Sequence, residues 1–182
     1  MTDLRILAIS GSLRRQSSNT ALLQAAAQLA PEGVHIELYE GLGELPHFNP
    51  DLDPAASPAV THLKRRIQWA DGLMISSPEY AHGVPGVLKN ALDWLVSGEE
   101  FVHKPVALVN ASPRATHAQA ALTEIVTVMS GRIVPEASIT VSLTGRPLDP
   151  AALSVDPEIS VALRQAVTAF ARAIARSRAA QA

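Results

Sequence analysis

The sequence predicts an α/β fold in which a parallel sheet carries helices on both faces. Two observations predict the architecture, and a third predicts where a ligand would sit. Short apolar runs alternate with helix-period stretches along the chain, the pattern of strands joined by helical crossovers. Those runs are close to continuously apolar, as strands buried on both faces are. The unusual polar and aromatic residues gather in three loops, each following a strand.

Taken in order, LRILAIS (4–10) is a buried strand. The loop GSLRRQSSN (11–19) leads into a helix with Leu22, Ala25, Ala26 and Leu29 on one face, stopped at Pro31-Glu32-Gly33. Residues 34–40 alternate Val34, Ile36 and Leu38 with His35, Glu37 and Tyr39, a strand pattern. A Pro- and Gly-rich loop from Gly41 to Pro58 precedes a helix carrying Val60, Leu63, Ile67 and Ala70. GLMIS (72–76) is the third strand. Pro85 sits where a helix begins, and Val84, Val87, Leu88, Ala91, Leu92 and Leu95 follow helical spacing.

PVALVN (105–110) is the fourth strand, and Leu122, Ile125, Val126 and Met129 mark the next helix. ASITVSL (137–143) reads as the fifth strand. A linker with Pro147, Pro150 and Pro157 precedes a last helix with Ile159, Leu163, Val167, Phe170 and Ile174. No repeat and no internal boundary interrupts the pattern, so residues 1–182 read as a single domain.

Right-handed crossovers bring the C-terminal ends of all strands to one rim, where ligands bind in such folds. The first loop offers Ser10, Ser12, Ser17, Ser18, Asn19 and Thr20 together with Arg14 and Arg15. Hydroxyl donors, arginines and the free N–H groups of a helix start make an anion site. One of Ser17, Ser18 and Asn19 also serves as the helix cap. The patterns G-x-x-x-x-G-K-[ST] and G-x-G-x-x-G are absent after strand 1, and Gly41-Leu42-Gly43 leads into no immediate helix. A mononucleotide therefore fits better than ATP or a dinucleotide, and FMN is the first candidate.

GSLRRQSSN (11–19) and SPEYAHGVPGVLKNALDW (77–94) resemble the two signature segments of the NADPH-dependent FMN reductase family, which includes bacterial chromate and quinone reductases and related azoreductases. The resemblance covers roughly residues 4–143, and PGVLKNALDW is its more specific part. It implies a flavodoxin-like three-layer sandwich with five parallel strands in the order 2-1-3-4-5. It also implies noncovalent FMN, NADPH or NADH as electron donor, and assembly as a homodimer or homotetramer. Ser12, Arg14, Ser17 and Asn19 match the family's phosphate positions. Pro78, Glu79, Tyr80 and Ala81 match the loop along the isoalloxazine ring, which acts largely through its backbone, and Ser112 matches the serine after strand 4. The chain departs from the family at Ala81, usually Asn, at His82-Gly83, and at Arg114–Ala118, where glycines are usual. These departures fall on the ring edge and the substrate opening.

The resemblance implies an FMN-dependent NAD(P)H oxidoreductase acting on a quinone, azo compound, metal oxyanion or free flavin. The flavin does the chemistry, so no catalytic residue is expected. Arg15, Arg114 and His82 are candidate contacts for an anionic cofactor or acceptor. A nonenzymatic FMN carrier is the first alternative. A serine hydrolase built on Ser12 or Ser76 with His82 and Asp93 is the second, although G-x-S-x-G is absent. The six histidines lack metal-binding spacing and the chain has no cysteine, so no metal site is expected. Net charge is −2 and no apolar run approaches the ~20 residues of a membrane helix. Nucleic acid and membrane partners are therefore not expected. The segment MTDLRILAIS is too short and too charged for a signal peptide, and with the missing cysteines it favours the cytoplasm. Trp94 reads equally as core or as interface.

Overall fold

The computed structural model describes residues 3–180. Six strands, β1 (Leu4–Ser10), β2 (Val34–Leu38), β3 (Gly72–Ser76), β4 (Pro105–Asn110), β5 (Arg132–Ile133) and β6 (Ile139–Thr140), form one sheet. All pairings are parallel, in the order β2-β1-β3-β4-β5, with β6 on the C-terminal half of β4. This is the expected 2-1-3-4-5 order with a small extra strand. The helices are α1 (Ser18–Gln28), α2 (Pro58–Trp69), α3 (Gly86–Leu95), α4 (Thr116–Val128), α5 (Pro150–Val155) and α6 (Pro157–Ala179).

Strand side chains alternate between two buried layers. Ile6, Ala8, Met74, Ala107 and Val109 pack with α1, α5 and α6. Leu7, Ile9, Leu73, Ile75, Val106 and Leu108 pack with α2, α3 and α4. β3 and β4 are buried at every position, which is why they read as unbroken apolar runs. At Gly72 a β-carbon would come within 2.7 Å of Ile174 and 2.8 Å of Phe170, so α6 lies on bare backbone there.

Two expectations need correction. The fifth strand expected at 137–143 shrinks to β6 (Ile139–Thr140), and the strand that completes the sheet order, β5 (Arg132–Ile133), lies before that range, across a 3-10 turn over Pro135–Ala137. Pro135 has no N–H to give the ladder. The Ser138 hydroxyl bridges the gap instead, accepting from the Leu108 N–H at 3.0 Å and donating to the Val134 carbonyl at 2.9 Å. The Pro-rich linker before the last helix contains α5. Asp149 caps it, accepting from the amides of Ala151 and Ala152, and Pro150 occupies the first helical position.

Trp94 is 1% exposed, so the core reading of this residue holds and the interface reading does not. Its indole N–H donates to the Pro46 carbonyl at 2.8 Å, and its ring meets the edge of Phe48. Asn90 on the same helix receives the Phe48 N–H at 2.7 Å and donates to Pro46 at 2.9 Å. These bonds fasten the long loop after β2 to α3.

Candidate functional site

A cleft of about 380 Å³ opens at the C-terminal rim of the sheet. Ser18 and Asn19 line it from the start of α1, Ser77, Pro78 and Glu79 from the loop after β3, and residues 110–112, Arg114 and Ala115 from the loop after β4. All three loops singled out from the sequence therefore meet there. Leu143 and Thr144 also line it, and the sequence reading missed them. They follow β6, and the rule that ligands gather at strand C-termini extends to the loop after the last strand.

On the α1 side, the Ser17 hydroxyl caps the helix by accepting from the Thr20 N–H at 3.3 Å. The amides of Ser18 and Asn19 have no acceptor among the described residues. No acidic residue stands in the first turn. Arg14 and Arg15 are exposed, and no carboxylate pairs with either among the described residues. Beneath the cleft, the Ser76 hydroxyl donates to Asn19 Oδ1 at 2.8 Å, both residues being buried. The Asn19 side-chain NH2 has no hydrogen-bond partner among the described residues. Ser10 and Thr20 share a hydroxyl contact at 2.8 Å, which fixes β1 to α1. Unpaired N–H groups and nearby cations, with no acid in the first turn of α1, make a surface chemically suited to an anion.

The loop after β3 is held by its own backbone. Tyr80 and Gly83 exchange N–H···O bonds of 3.1 and 3.0 Å. The two residues between them, Ala81 (φ +50°) and His82 (φ +59°), both lie in the left-handed region. Positive φ at both central positions is the requirement of a type I′ turn. Gly11 packs against the same loop, since a β-carbon there would lie 3.3 Å from Pro78 and 3.0 Å from Leu88. The Glu79 carboxylate reaches across to α4 and accepts the Ala118 N–H at 2.9 Å, while Ala115 at that helix start offers no side-chain cap. On the third wall, buried Asn110 accepts the Ser112 N–H at 3.1 Å, and Ser112 Oγ accepts the Arg114 N–H at 3.3 Å.

Of the nine residues expected at the site, Asn19, Pro78, Glu79 and Ser112 line the cleft. Ser17 stands at the α1 cap. Ser12 accepts the Arg14 N–H at 3.3 Å and shapes the loop before that helix. Tyr80 and Ala81 sit in the turn beyond Glu79, where Tyr80 is 51% exposed. The hydrolase constellation is not assembled. Ser76 donates to Asn19, Asp93 pairs with Lys89 at 2.6 Å, and His82 stacks on His117 with ring centroids 4.2 Å apart.

The family described as NADPH-dependent FMN reductase matches residues 4–144. An NAD(P)H-dependent FMN reductase of Pseudomonas aeruginosa is 43% identical over 113 residues, 60% of each chain. A 2-hydroxy-1,4-benzoquinone reductase of Burkholderia is 44% identical over 91 residues, 50% of this chain and 49% of that protein. The matches thus span about half to three fifths of the length of these relatives. A solved flavoenzyme NAD(P)H:(acceptor) oxidoreductase from Paracoccus denitrificans superposes with a TM-score of 0.82 at 30% identity, covering 95% of this chain and 98% of that one. Flavodoxin 1 of Bacillus cereus superposes at 0.61 and 16% identity over 92% of this chain and 97% of that one, a likeness of fold alone.

Proposed function

The chain belongs to the NADPH-dependent FMN reductase family, and we propose that it binds FMN in the rim cleft and works as an NAD(P)H oxidoreductase on a small quinone-class acceptor. The observation that carries the reading is the opening of α1. Its acid-free first turn, with the Ser18 and Asn19 amides unpaired among the described residues, faces the same cleft as the loops after β3 and β4.

Bound FMN supplies the hydride and electron chemistry, which the side chains do not. The chain's own residues bind and orient. Ser12, Arg14, Ser17 and Asn19 hold the phosphate, with the α1 amides as donors. Pro78, Glu79, Tyr80 and Ala81 wall the flat ring through rigid backbone, and Ser112 approaches it from the β4 side. Glu79 fixes the distance between these two walls through its bond to Ala118. Assembly into a homodimer or homotetramer in the cytoplasm belongs to the same reading. Light scattering on the purified protein measures the assembly. No described helix is long and apolar enough to cross a membrane.

The test is direct. Purified protein titrated with FMN should quench flavin fluorescence stoichiometrically, and the loaded protein should oxidise NADPH or NADH when a quinone is added. A chain that fails to bind FMN overturns the proposal. A chain that binds FMN without oxidising either nucleotide leaves only a flavin carrier.

A further inference from the structure

We propose that Arg114 recognises an oxyanion carried by the second substrate, either a phosphate of the nicotinamide donor or an acidic group on the acceptor. The inference rests on the proposed function. Among the described residues, Arg114 is the one cation that lines the cleft. Arg5 and Arg178 hold Asp71, Arg66 holds Glu37, and Arg146 holds Asp156 and Glu158. Arg114 has no carboxylate partner among the described residues, and its side chain is exposed. An unpaired guanidinium fork on a cleft wall matches the planar geometry of phosphate, carboxylate or sulfonate.

The flavin's own phosphate does not account for it. That group is assigned to the loop after β1, whereas Arg114 follows β4, two places away in the sheet order. Two strand spacings separate the ends of those strands by about 10 Å. The Arg114 backbone is fixed from within, since its N–H donates to Ser112 Oγ at 3.3 Å and Asn110 anchors Ser112. The side chain thus projects from a rigid base. Glu79, the carboxylate lining the same cleft, gives one oxygen to the Ala118 N–H at the start of α4, where the helix dipole offsets its charge. His117, three residues on, stacks against His82, so two imidazoles stand beyond Arg114.

The experiment compares wild type, Arg114→Ala and Arg114→Lys, each first titrated with FMN. Steady-state kinetics then pair NADPH with NADH, and anthraquinone-2-sulfonate with neutral menadione. Calorimetric titration of the loaded proteins with 2′,5′-ADP and 5′-AMP gives a readout independent of turnover. Arg114→Ala should raise KM for the substrates that carry the recognised oxyanion by roughly 10- to 100-fold, the loss of one or two charge-assisted hydrogen bonds. The kcat, and KM for substrates that lack the recognised oxyanion, should stay near wild type, and Arg114→Lys should recover part of the loss. A change confined to NADPH and 2′,5′-ADP assigns the oxyanion to the donor's ribose phosphate. A change in both nucleotides assigns it to the donor's pyrophosphate, and one confined to the sulfonate assigns it to the acceptor. Equal effects within each pair and no loss toward either nucleotide overturn the inference. So does weakened FMN binding in Arg114→Ala, which would make the arginine a flavin ligand. Wild-type protein that does not bind FMN at all removes the proposed function and this inference together.

Discussion

Glu79 Oε2 accepts the backbone N–H of Ala118 at 2.9 Å, so a residue of the loop after β3 caps the helix that follows β4. Ala115 at that helix start has no side-chain cap of its own. The carboxylate satisfies an otherwise free amide and lies at the positive end of α4, two favourable terms in one contact. It also binds together two walls of the cleft. Glu79→Ala should cost about 1 kcal/mol, the usual value of a lost cap, which in a chain of this length lowers Tm by about 2–4 °C. Glu79→Gln keeps an acceptor and should lose less. Thermal melts of the three proteins check the order, and equal Tm values would mean that the cap is idle.

Ala81 and His82 hold positive φ in the same turn, and neither is glycine or asparagine. An L-residue in this region costs about 1–2 kcal/mol, and Asn bears that cost best after Gly. Ala81→Asn should therefore raise stability by about 0.5–1 kcal/mol, or Tm by about 1–4 °C, without a new contact to any ligand. Urea unfolding checks it, since the midpoint should rise at constant m. A lower midpoint would show that Ala81 is held by packing that the larger side chain disturbs.

That turn also marks where the sequence stopped being legible. Missing Asn at position 81 is visible in the sequence, and from residue identity alone it reads as a lost hydrogen bond at the ring edge. The backbone angle supplies a different reason, because the position demands a conformation before it demands a side chain. Strands β1, β3 and β4 were readable to the residue, because burial on both faces leaves an apolar run, complete in β3 and β4 and four residues long in β1. β5 and β6 were not, because two-residue strands carry no period and Ser138 completes their ladder with a side chain. α5 was hidden because Pro147, Pro150 and Pro157 resemble a linker, although Pro150 opens a capped helix. Three cleft walls were legible from loop composition, and the fourth contribution, Leu143 and Thr144, was not. The bond from Glu79 to Ala118 joins residues 39 apart, a distance over which local pattern carries no information.

On the proposed reading Arg14 and Ser17 serve one ligand by different means, and their joint removal tests the phosphate assignment. Arg14 contributes charge, while Ser17 sets the first turn of α1 whose amides face the cleft. Replacing both by Ala should weaken FMN binding by roughly 10- to 100-fold, the loss of one or two charge-assisted bonds. Glu79→Ala should weaken it less, because that side chain points at α4. Flavin fluorescence quenching gives the affinities. Ser17→Ala alone should also lower Tm through the lost cap, so melts of the single variants separate cap from ligand. Undiminished FMN affinity in the double variant would place the phosphate elsewhere.

Asp71 sets an acid limit on stability at the opposite rim. It follows α2 and receives Arg178 at 2.5 Å, together with the side chain of Arg5 at 3.4 Å and its backbone N–H at 2.8 Å. Burial alone would raise its pKa. The hydrogen bonds from Arg178 and Arg5 outweigh burial and hold the carboxyl below the ordinary aspartate value of 3.8. The folded chain therefore binds fewer protons at this site than the unfolded chain. The resulting stability is complete above the unfolded value and is lost as pH falls through the folded one. Asp71→Asn removes the titration and leaves two arginines without their carboxylate. At neutral pH the variant should unfold at lower urea than wild type. That gap should hold down to about pH 5 and narrow progressively below it, as the wild-type carboxyl takes up its proton. Urea midpoints measured on both proteins across this range decide the matter, and a gap of constant size would show that Asp71 contributes no charge-dependent stability.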